Sequence, residues 1–574
     1  MKFLWFLCVS LLALRMAAVE AQTTCGPRLR KDWDMMNSTE KATYKGALAA
    51  AMDSGAYIKF IEMHTEMRSE MEAHRQCMFI YWHRLLLVVF ENMLRGQGTQ
   101  FACVTVPYFN WIAASSRVTA GTCTSFGSCM AITRELGGFT NGSQRTLAIN
   151  GINNSGRCVT EAPLDHFCQL SSTTGAACAK CVPRSDWSTV RIPSAAGYAS
   201  VRQQVFNGKN IGEMSPLVEN GCHNNVHANL GSTMGTFASP SDPIFWSHHA
   251  MVDLLHVIFH KCRVGSTRLT FAQKAANEVA WTSCARRSNG GVFNPTDVIT
   301  MRTGEKGVNP IDGRTDPLIG KYFTGVPSQF AGLMDVRDLG SSSYGYYISG
   351  QVATMYSQCD AAPTTRRMER VMEAAGVKPP TMCSSVDTKG DYISPDGVHV
   401  DGYDLPGNVN GYEHISQDDG HVDVVVKEST KEQQDASEQR VANWYDQTIE
   451  AMGGDSHENM ADLERQACMF ENQCLGGTDD YSPEFKAIWN ATEPRCKTIV
   501  DAINNGSQSI VYESWREVME THFGCPQPSN ISYSANSTSS SYLVHTADSV
   551  STNSWGSDVT QEETTQEDIA ESTW

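Results

Sequence analysis

The stretch AHRQCMFIYWHRLLLVVFEN, from Ala73 to Asn92, places two histidines in one of the most apolar segments of the chain. A buried polar ring costs free energy unless other groups satisfy its nitrogens. His74 and His83 are nine positions apart, which is about 900° of helical rotation, so they would lie on opposite faces of one straight helix. We therefore expect His74 in a loop, a helix that begins near Phe79, and His83 pointing inward.

A second group of histidines lies in HNNVH, where His223 and His227 are four residues apart and so share one helix face. His249 follows a loop rich in Gly, Ser and Pro, in which Asp242 is placed to cap a new helix at Pro243. That helix is expected to bring a third imidazole to the same metal from another direction.

His64, on the preceding helix, completes a first set of three with His74 and His83. A lone buried histidine is more often a core residue than a ligand, but six in this arrangement indicate a paired metal site on four helices. Ligation by imidazole alone suits copper, zinc, iron or nickel. Asp253 lies four residues after His249 on the same helix face, and we predict that its carboxylate holds an imidazole nitrogen.

The hydrophobic periodicity predicts a mainly α fold with long loops between the helices. The predicted helices cover Glu40–Asp53, Ala56–Met71, Phe79–Arg95, Val218–Asn229 and Pro243–Cys262. The stretch Thr122–Pro183 is rich in Gly, Ser, Thr and Cys, which indicates loops tied by disulfides.

Changes in composition divide the chain into five parts. The predicted parts are a signal peptide (1–21), a core domain (22–383), a Gly/Asp-rich linker (384–437), a small helical C-terminal domain (438–527) and an acidic, Ser/Thr-rich disordered tail (528–574). The small domain holds Cys468, Cys474, Cys496 and Cys525, which are enough for two local disulfides.

Several features predict secretion. Lys2 precedes an apolar run from Phe3 to Leu14, and a cleavage site follows at Ala21. Of 19 cysteines, Cys8 leaves with this peptide, and the remaining even number favours disulfides. Glycosylation sequons support the same route and lie at Asn37, Asn141, Asn153, Asn490, Asn505, Asn530 and Asn536.

The charge and the later hydrophobic pattern exclude two classes of partner. The net charge is −18, the pI is about 5.4 and no basic patch stands out in the sequence, so we expect no nucleic acid partner. No later segment is long enough to span a bilayer, and the C-terminus lacks a lipid-anchor signal, so we expect no membrane anchor.

The motifs together resemble the tyrosinases, the dicopper phenol oxidases related to catechol oxidases and haemocyanins. HRQCMFIYWHRLLLVVFE, with Trp82–Arg84 at its centre, is similar to the family's first copper motif. HNNVH followed by DPIFWSHHAMVD is similar to the second copper motif, and VTVPYFNW at Val104–Trp111 resembles the family's Pro-Tyr-Trp-Asp-Trp segment. The resemblance covers roughly Cys25 to Cys383, with Tyr344-Gly-Tyr346 as a weaker mark of the end of the core.

The resemblance implies a helical bundle that holds two copper ions, a type 3 pair, with dioxygen as co-substrate. The implied ligands of the first copper are His64, His74 and His83, and those of the second are His223, His227 and His249. Glu219 matches a carboxylate that holds a water near the coppers, and Asn224 matches an asparagine that helps it to take a proton from a phenol. Thr236 falls near the family's gate position, with Phe237 as the other candidate.

Two departures from the family pattern stand out. Asn110 occupies a position where the family usually has Asp. Many members link a cysteine covalently to the second histidine of the first site, but this chain has no cysteine between His64 and His74. Cys77 is expected to form a disulfide rather than a thioether.

The resemblance implies a secreted enzyme that hydroxylates monophenols at the ortho position and oxidises o-diphenols to o-quinones. Its substrates would be small phenols such as tyrosine and catechols, or phenolic side chains of proteins, in melanin formation or phenolic cross-linking. The alternatives are a catechol oxidase without monophenol activity, a haemocyanin-like oxygen carrier, and a structural glycoprotein. In some family members a second domain shields the site until proteolysis, which is a further hypothesis for residues 438–527.

Overall fold

The structure is a computed structural model that describes most of the predicted core and C-terminal domains. The described residues are 25–282, 284–288, 290–360, 392–393, 399–400, 412–414, 424–427, 435–454 and 456–525. The predicted signal peptide, Cys383, most of the predicted linker and the predicted tail lie outside these residues. The division into five parts therefore stays a prediction.

Helices dominate the described residues, as the periodicity predicts. The N-terminal helices are α1 (Ser38–Asp53), α2 (Ala56–Thr65), α3 (Met67–Ala73), α4 (Phe79–Arg95), α5 (Trp111–Thr119), α6 (Phe126–Cys129) and α7 (Ala131–Glu135). The next helices are α8 (Tyr198–Phe206), α9 (Ile211–Val218), α10 (Asn224–Leu230), α11 (Ile244–Arg263), α12 (Phe271–Ala275) and α13 (Gly350–Gln358). The C-terminal helices are α14 (Ala436–Ala451), α15 (His457–Cys474), α16 (Pro483–Trp489), α17 (Arg495–Asn504) and α18 (Trp515–Phe523).

Local sequence signals explain several helix ends. Asn37 caps α1 through a reciprocal capping box with Glu40. The predicted helix Ala56–Met71 is interrupted at Glu66, whose extended backbone ends α2 and whose side chain accepts a hydrogen bond from the Ser69 N–H to start α3. The predicted helix Phe79–Arg95 has the predicted bounds. Its residues are buried almost throughout, which explains its continuous apolar composition.

The strands are short. They are β1 (Leu29–Lys31), β2 (Ser143–Ile149), β3 (Ile152–Val159), β4 (Val182–Arg184), β5 (Arg302–Thr303), β6 (Ile311–Asp312), β7 (Gly345–Ile348), β8 (Tyr392–Ile393), β9 (His399–Val400), β10 (Tyr412–His414) and β11 (Val424–Lys427). One sheet has the order β1-β7-β11-β10, with β7 parallel to both neighbours, and a second antiparallel sheet has the order β2-β3-β4.

Four helices, α2, α4, α10 and α11, carry the six predicted ligand histidines or lie beside them. Large aromatic side chains fix the spacing between α4 and α11. The rings of Phe90 and Trp246 stack with centroids 3.5 Å apart, and Tyr57 donates a hydrogen bond to the Pro240 carbonyl at 2.9 Å. Such buried aromatic contacts hold the helices at defined positions.

The disulfides of the loops and of the C-terminal helices form as the composition predicts. The pairs in the described residues are Cys25–Cys103, Cys77–Cys284, Cys123–Cys129, Cys158–Cys181, Cys168–Cys178, Cys262–Cys359, Cys468–Cys496 and Cys474–Cys525. Cys77 is in a disulfide, as expected. Cys222 is a free thiol in the interior.

The C-terminal helices pack on the core domain and belong to the same compact unit. Arg117 on α5 pairs with Asp435 at 2.7 Å, and the Arg202 guanidinium on α8 donates to the Tyr445 hydroxyl at 3.2 Å. Within the described residues, every disulfide of the C-terminal helices joins two of their own cysteines. None of the described helices has the length and apolar character that crossing a membrane requires.

Candidate metal centre

The structure brings His64, His74 and His83 together from three different elements. His64 lies at the end of α2 and His83 on α4, while His74 follows α3 in extended conformation, with φ −126° and ψ 151°. The ring centroids are 4.8 Å apart for His64 and His74 and 5.1 Å apart for His74 and His83. One nitrogen from each of the three lies within 4.8 Å of the others. The predicted break between His74 and His83 is confirmed.

Backbone carbonyls fix the orientation of two rings in this first group. His64 Nδ1 donates to the Phe237 carbonyl at 2.7 Å, and His83 Nδ1 donates to the Phe79 carbonyl at 2.9 Å. A donor at Nδ1 leaves the lone pair on Nε2, which is the form that binds a metal ion. The Nε2 atoms of both rings are buried and have no hydrogen-bond partner among the described residues.

The second group contains four histidines on three elements. His223 and His227 come from the π-helical turn Glu219–His223 and from α10, and His248 and His249 come from α11. One nitrogen from each lies within 4.8 Å of the others, and all four side chains are buried. His227 Nδ1 donates to the Met234 carbonyl at 2.6 Å, and its Nε2 lies 3.5 Å from His249 Nε2.

The two groups form one centre, because the rings of His83 and His249 stack between them. Their centroids are 4.2 Å apart and their planes differ by 8°. His223 also reaches across, with its centroid 6.3 Å from that of His83. The six predicted histidines therefore converge on one small volume between α2, α4, α10 and α11.

Burial keeps these imidazoles neutral. It lowers the pKa of His64 to about 3 and that of His227 to about 4, and it lowers the pKa of His74, His83 and the other members well below the usual range. Neutral imidazole is the ligating form. Buried nitrogens without partners are costly in a folded protein. Their convergence fits a pair of metal ions with imidazole ligands, and copper is among the metals that this donor set suits.

His248 is the one histidine of the second group that the sequence prediction leaves out. Within the described part of the chain, both of its ring nitrogens are buried without a partner, and its ring stacks on that of His223 with centroids 5.3 Å apart. Only His249, however, stacks on His83 of the first group within 4.2 Å. This difference favours His249 as the ligand.

Glu219 stands beside both groups, at the start of the π-helical turn. Its Oε1 accepts a hydrogen bond from the Arg75 backbone N–H at 2.6 Å, directly after His74. Burial raises its pKa to about 8, although Arg75 and Arg287 act in the opposite direction. Gly221 lets this turn form, because a Cβ atom there would lie 2.3 Å from Gln204 Oε1, which accepts the Cys222 N–H.

Asn224 lies next to His223, as the sequence predicts, and orients its ring. Asn224 Oδ1 accepts from His223 Nδ1 at 3.0 Å, and Asn224 Nδ2 donates to Asn220 Oδ1 at 3.4 Å. The hydrogen bonds of this amide are thus with His223 and Asn220. The predicted assistance to Glu219 stays a prediction.

The predicted role of Asp253 as an imidazole partner is wrong. Its Oδ1 accepts from Arg84 Nε at 2.6 Å. Its Oδ2 accepts from Tyr344 and Tyr346 hydroxyls, each at 2.6 Å, and from Arg30 Nη1 at 3.2 Å. Two buried guanidinium groups attract this carboxylate more strongly than a neutral ring does, and they hold its pKa below the usual value. Asp253 thus ties α11 to α4 and to both tyrosines of Tyr344-Gly-Tyr346.

Phe237, rather than Thr236, faces the metal centre at the predicted gate. The Thr236 hydroxyl is turned away from the centre and donates to Asn154 Oδ1 at 2.7 Å. The Phe237 ring lies over His74, with centroids 5.2 Å apart. The prediction of Thr236 is off by one residue because the backbone is extended there, so neighbouring side chains point to opposite sides.

Trp489 is the contact residue that sequence reasoning misses. It ends α16, and its ring centroid lies 5.1 Å from His74, 5.0 Å from His227 and 4.9 Å from Phe237. Its Nε1 donates to the Gly235 carbonyl at 2.8 Å. A single tryptophan so far along the chain from His74 carries no local signal of this contact, so only the tertiary structure reveals it.

The part of the chain that forms this centre is similar to known proteins. Residues 54–261 match the model of the common central domain of tyrosinase. The chain is 27% identical over 255 residues to a tyrosinase of Streptomyces glaucescens, which is 42% of this chain and 86% of the relative. It is 25% identical over 279 residues to tyrosinase P of Aspergillus terreus, which is 41% of this chain and 75% of the relative.

The solved structures that match the chain do so at lower identity. A mutant polyphenol oxidase from Thermothelomyces thermophila has a TM-score of 0.35 and 16% identity, over 59% of this chain and 94% of that one. A functional unit of octopus hemocyanin has a TM-score of 0.32 and 15% identity, over 55% of this chain and 67% of that one.

The matched residues 54–261 span all six predicted ligand histidines. These residues are thus similar to the central domain of the tyrosinases, and the similarity supports a relationship to this family of type 3 copper proteins.

Proposed function

We propose that this protein is a secreted dicopper oxidase that hydroxylates monophenols at the ortho position and oxidises o-diphenols to o-quinones with dioxygen. The observation that carries the proposal is the stacking of His83 on His249, which joins two groups of buried, neutral imidazoles into one centre. The first copper would be held by His64, His74 and His83, and the second by His223, His227 and His249. When bound, the copper pair supplies the activation of dioxygen and the electron exchange with the phenol.

Glu219 is the proposed acceptor of the phenol proton. Its raised pKa of about 8 is close to the value of an effective base at neutral pH. The Arg75 N–H fixes the direction of its carboxylate. Asn224 is proposed to assist through His223, whose Nδ1–H it accepts.

The protein also supplies a dry, shaped entrance. Phe237 limits the space above His74, and the aromatic residues around the imidazoles exclude water from the reacting atoms. A phenol ring between Phe237 and His227 would take the volume that Trp489 fills in this structure.

Trp489 supports the hypothesis that the C-terminal helices keep the enzyme latent. Since its ring contacts histidines of both groups, a phenol reaches them only after α16 moves. Dioxygen is much smaller, so the covered site also favours a second candidate function. That function is haemocyanin-like oxygen binding without turnover.

Oxygen uptake distinguishes the candidates. The copper-loaded full-length chain and its Trp489→Ala variant are supplied in turn with tyrosine and with a catechol. Uptake with both substrates supports the proposal, and uptake with the catechol alone supports the catechol oxidase alternative. Reversible oxygen binding without oxidation of either substrate by either chain would contradict the proposal and support the oxygen carrier.

A further inference from the structure

We propose that Gln204 is a positioning residue for the second group of histidines, and that the C-terminal helices hold its side chain in place. These helices then help to build the metal centre, in addition to covering it. The inference rests on the proposed function for the identity of the metal, and it concerns residues outside the six implied ligands.

The turn that carries the second group contains a break in its helical backbone. Within the π-helical turn Glu219–His223, Gly221 has φ −88° and ψ −115°, which is not a helical conformation. The turn ends at His223 and leads directly into α10, which carries His227. An irregular turn that holds metal ligands needs support from other elements to keep one geometry.

Gln204 on α8 supplies this support. Its Oε1 accepts a hydrogen bond from the Cys222 N–H at 2.7 Å, directly before His223. A Cβ atom at Gly221 would collide with the same oxygen, so the amide fits closely against the turn. Gln204 is completely buried, and water therefore does not replace this hydrogen bond when the amide is lost.

The C-terminal helices reach the first acceptor of the Gln204 amide nitrogen through hydrogen bonds. Gln204 Nε2 donates to the Ser200 hydroxyl at 3.0 Å. The Ser200 hydroxyl donates to Glu464 Oε1 on α15, and Glu464 pairs with Arg495 on α17. A buried chain of hydrogen bonds therefore runs from α15 to the backbone of the turn that carries the metal ligands.

The second acceptor, the Ala195 carbonyl, is held by the same helices. Gln204 Nε2 donates to it at 2.8 Å. Ala195 lies in a buried apolar cluster with the disulfide Cys468–Cys496, which joins α15 to α17. The orientation of the glutamine amide thus depends on the C-terminal helices at two points.

Loss of this amide is expected to affect the two metal groups unequally. The supported turn carries ligands of the second group, whereas the histidines of the first group come from other elements. Gln204→Met keeps the approximate size of the side chain without its polar atoms. We expect it to raise the dissociation constant of one copper ion about tenfold to a hundredfold, as the loss of outer hydrogen bonds typically does.

The test measures the copper that full-length chains retain against increasing concentrations of a chelator, which gives affinities without turnover. Gln203→Met is the matched control, because it makes the same substitution at the neighbouring buried residue of α8. Circular dichroism confirms that each variant is folded. Ser200→Ala, which removes one oxygen from the same chain of hydrogen bonds, replaces Gln204→Met if that variant does not fold.

Double variants identify the ion that is affected. Gln204→Met combined with His249→Asn should hold its remaining ion as tightly as His249→Asn alone. Combined with His74→Asn, it should weaken the remaining ion by the same tenfold to a hundredfold. Equal weakening in both double variants would indicate general destabilisation and would overturn the inference.

Glu464 tests the contribution of the C-terminal helices without cutting the chain. Glu464→Gln keeps an oxygen that accepts from Ser200, whereas Glu464→Leu removes it, and both lose the charge that pairs with Arg495. We expect the second ion to be held about threefold or more weakly in Glu464→Leu than in Glu464→Gln. Equal affinities in these two variants would overturn the role of the C-terminal helices.

The parent chain separates failure of this inference from failure of the proposed function. Retention of two ions by the parent, with unchanged affinities in Gln204→Met and an equal effect of Gln203→Met, would overturn the inference and leave the proposed function intact. A parent chain that retains no copper would instead overturn the proposed function.

Discussion

The indole of Trp489 lies against the imidazole of His227, with ring centroids 5.0 Å apart, although the two residues belong to different parts of the chain. The indole also stacks on Phe485 of its own helix, with centroids 5.5 Å apart and planes within 20°. This relationship makes the C-terminal helices part of the metal centre rather than a separate appendage.

Removal of this indole is expected to open the site. We predict that Trp489→Ala increases the kcat/KM of the full-length chain for a catechol by about tenfold or more, since the lost ring leaves room for substrate. Trp489→Phe is the matched control, because it keeps an apolar ring and should remain largely closed. The measurement is the rate of quinone formation. Equal rates in the parent, Trp489→Ala and Trp489→Phe chains would argue that Trp489 does not block access to the site.

Cleavage within residues 428–434 is expected to be insufficient for activation. The contacts that hold the C-terminal helices are non-covalent in the described residues, and they include the ion pair of Arg117 with Asp435 and the Trp489–Gly235 hydrogen bond. The cut chain should therefore elute as one species in gel filtration, with low activity. Activity should appear when mild denaturant separates the two fragments, and full activity of the unseparated cut species would contradict this expectation.

Asp253 is expected to be a major stabilising residue. Asp253→Asn removes the negative charge that Arg84 and Arg30 share in the interior, which should lower the free energy of unfolding by about 3–5 kcal/mol. Asp53→Asn is the control, since Asp53 is exposed and pairs with the partly exposed His166, so a change below about 1 kcal/mol is expected. Chemical denaturation measures the free energy of unfolding of both variants. Similar decreases in Asp253→Asn and Asp53→Asn would refute the stabilising role of Asp253.

Glu471 is expected to make stability depend on pH. It is buried, its Oε1 accepts the Ser194 N–H at 3.1 Å, and burial raises its pKa to about 7 from an ordinary 4.5. The folded state thus binds the proton of Glu471 more tightly than the unfolded state does. The resulting contribution to the free energy of unfolding is fully present below pH 4.5 and is lost as the pH rises to 7. Glu471→Gln should stabilise the protein at about pH 8, by at most about 3 kcal/mol, and have little effect at about pH 4.5. Thermal unfolding at both pH values checks this, and equal effects would contradict it.

Features that depend on local sequence pattern are predicted correctly. Predictions fail where two interacting residues lie far apart along the chain. The limits of α4 and the break at His74 follow from apolar periodicity and from the rotation between His74 and His83. The prediction for Asp253 fails because its partners Arg84 and Arg30 lie 169 and 223 positions away.

The same limit applies to the entrance of the site. A shift of one residue in an extended segment exchanges Thr236 for Phe237, and no periodicity corrects such a shift. Trp489 reaches the site only through packing of α16 on the core, and the free thiol of Cys222 is evident only when the other described pairs are known.

The copper content of the purified, copper-loaded protein tests the central claim most directly, counted per chain for the parent and for His249→Asn and His248→Asn. We predict two copper ions per chain in the parent and in His248→Asn, and a loss of about one ion in His249→Asn, with both variants folded by circular dichroism. Zinc or no metal in the parent after copper loading would contradict the account of a paired copper centre. Loss of copper in His248→Asn alone would transfer the ligand role to His248.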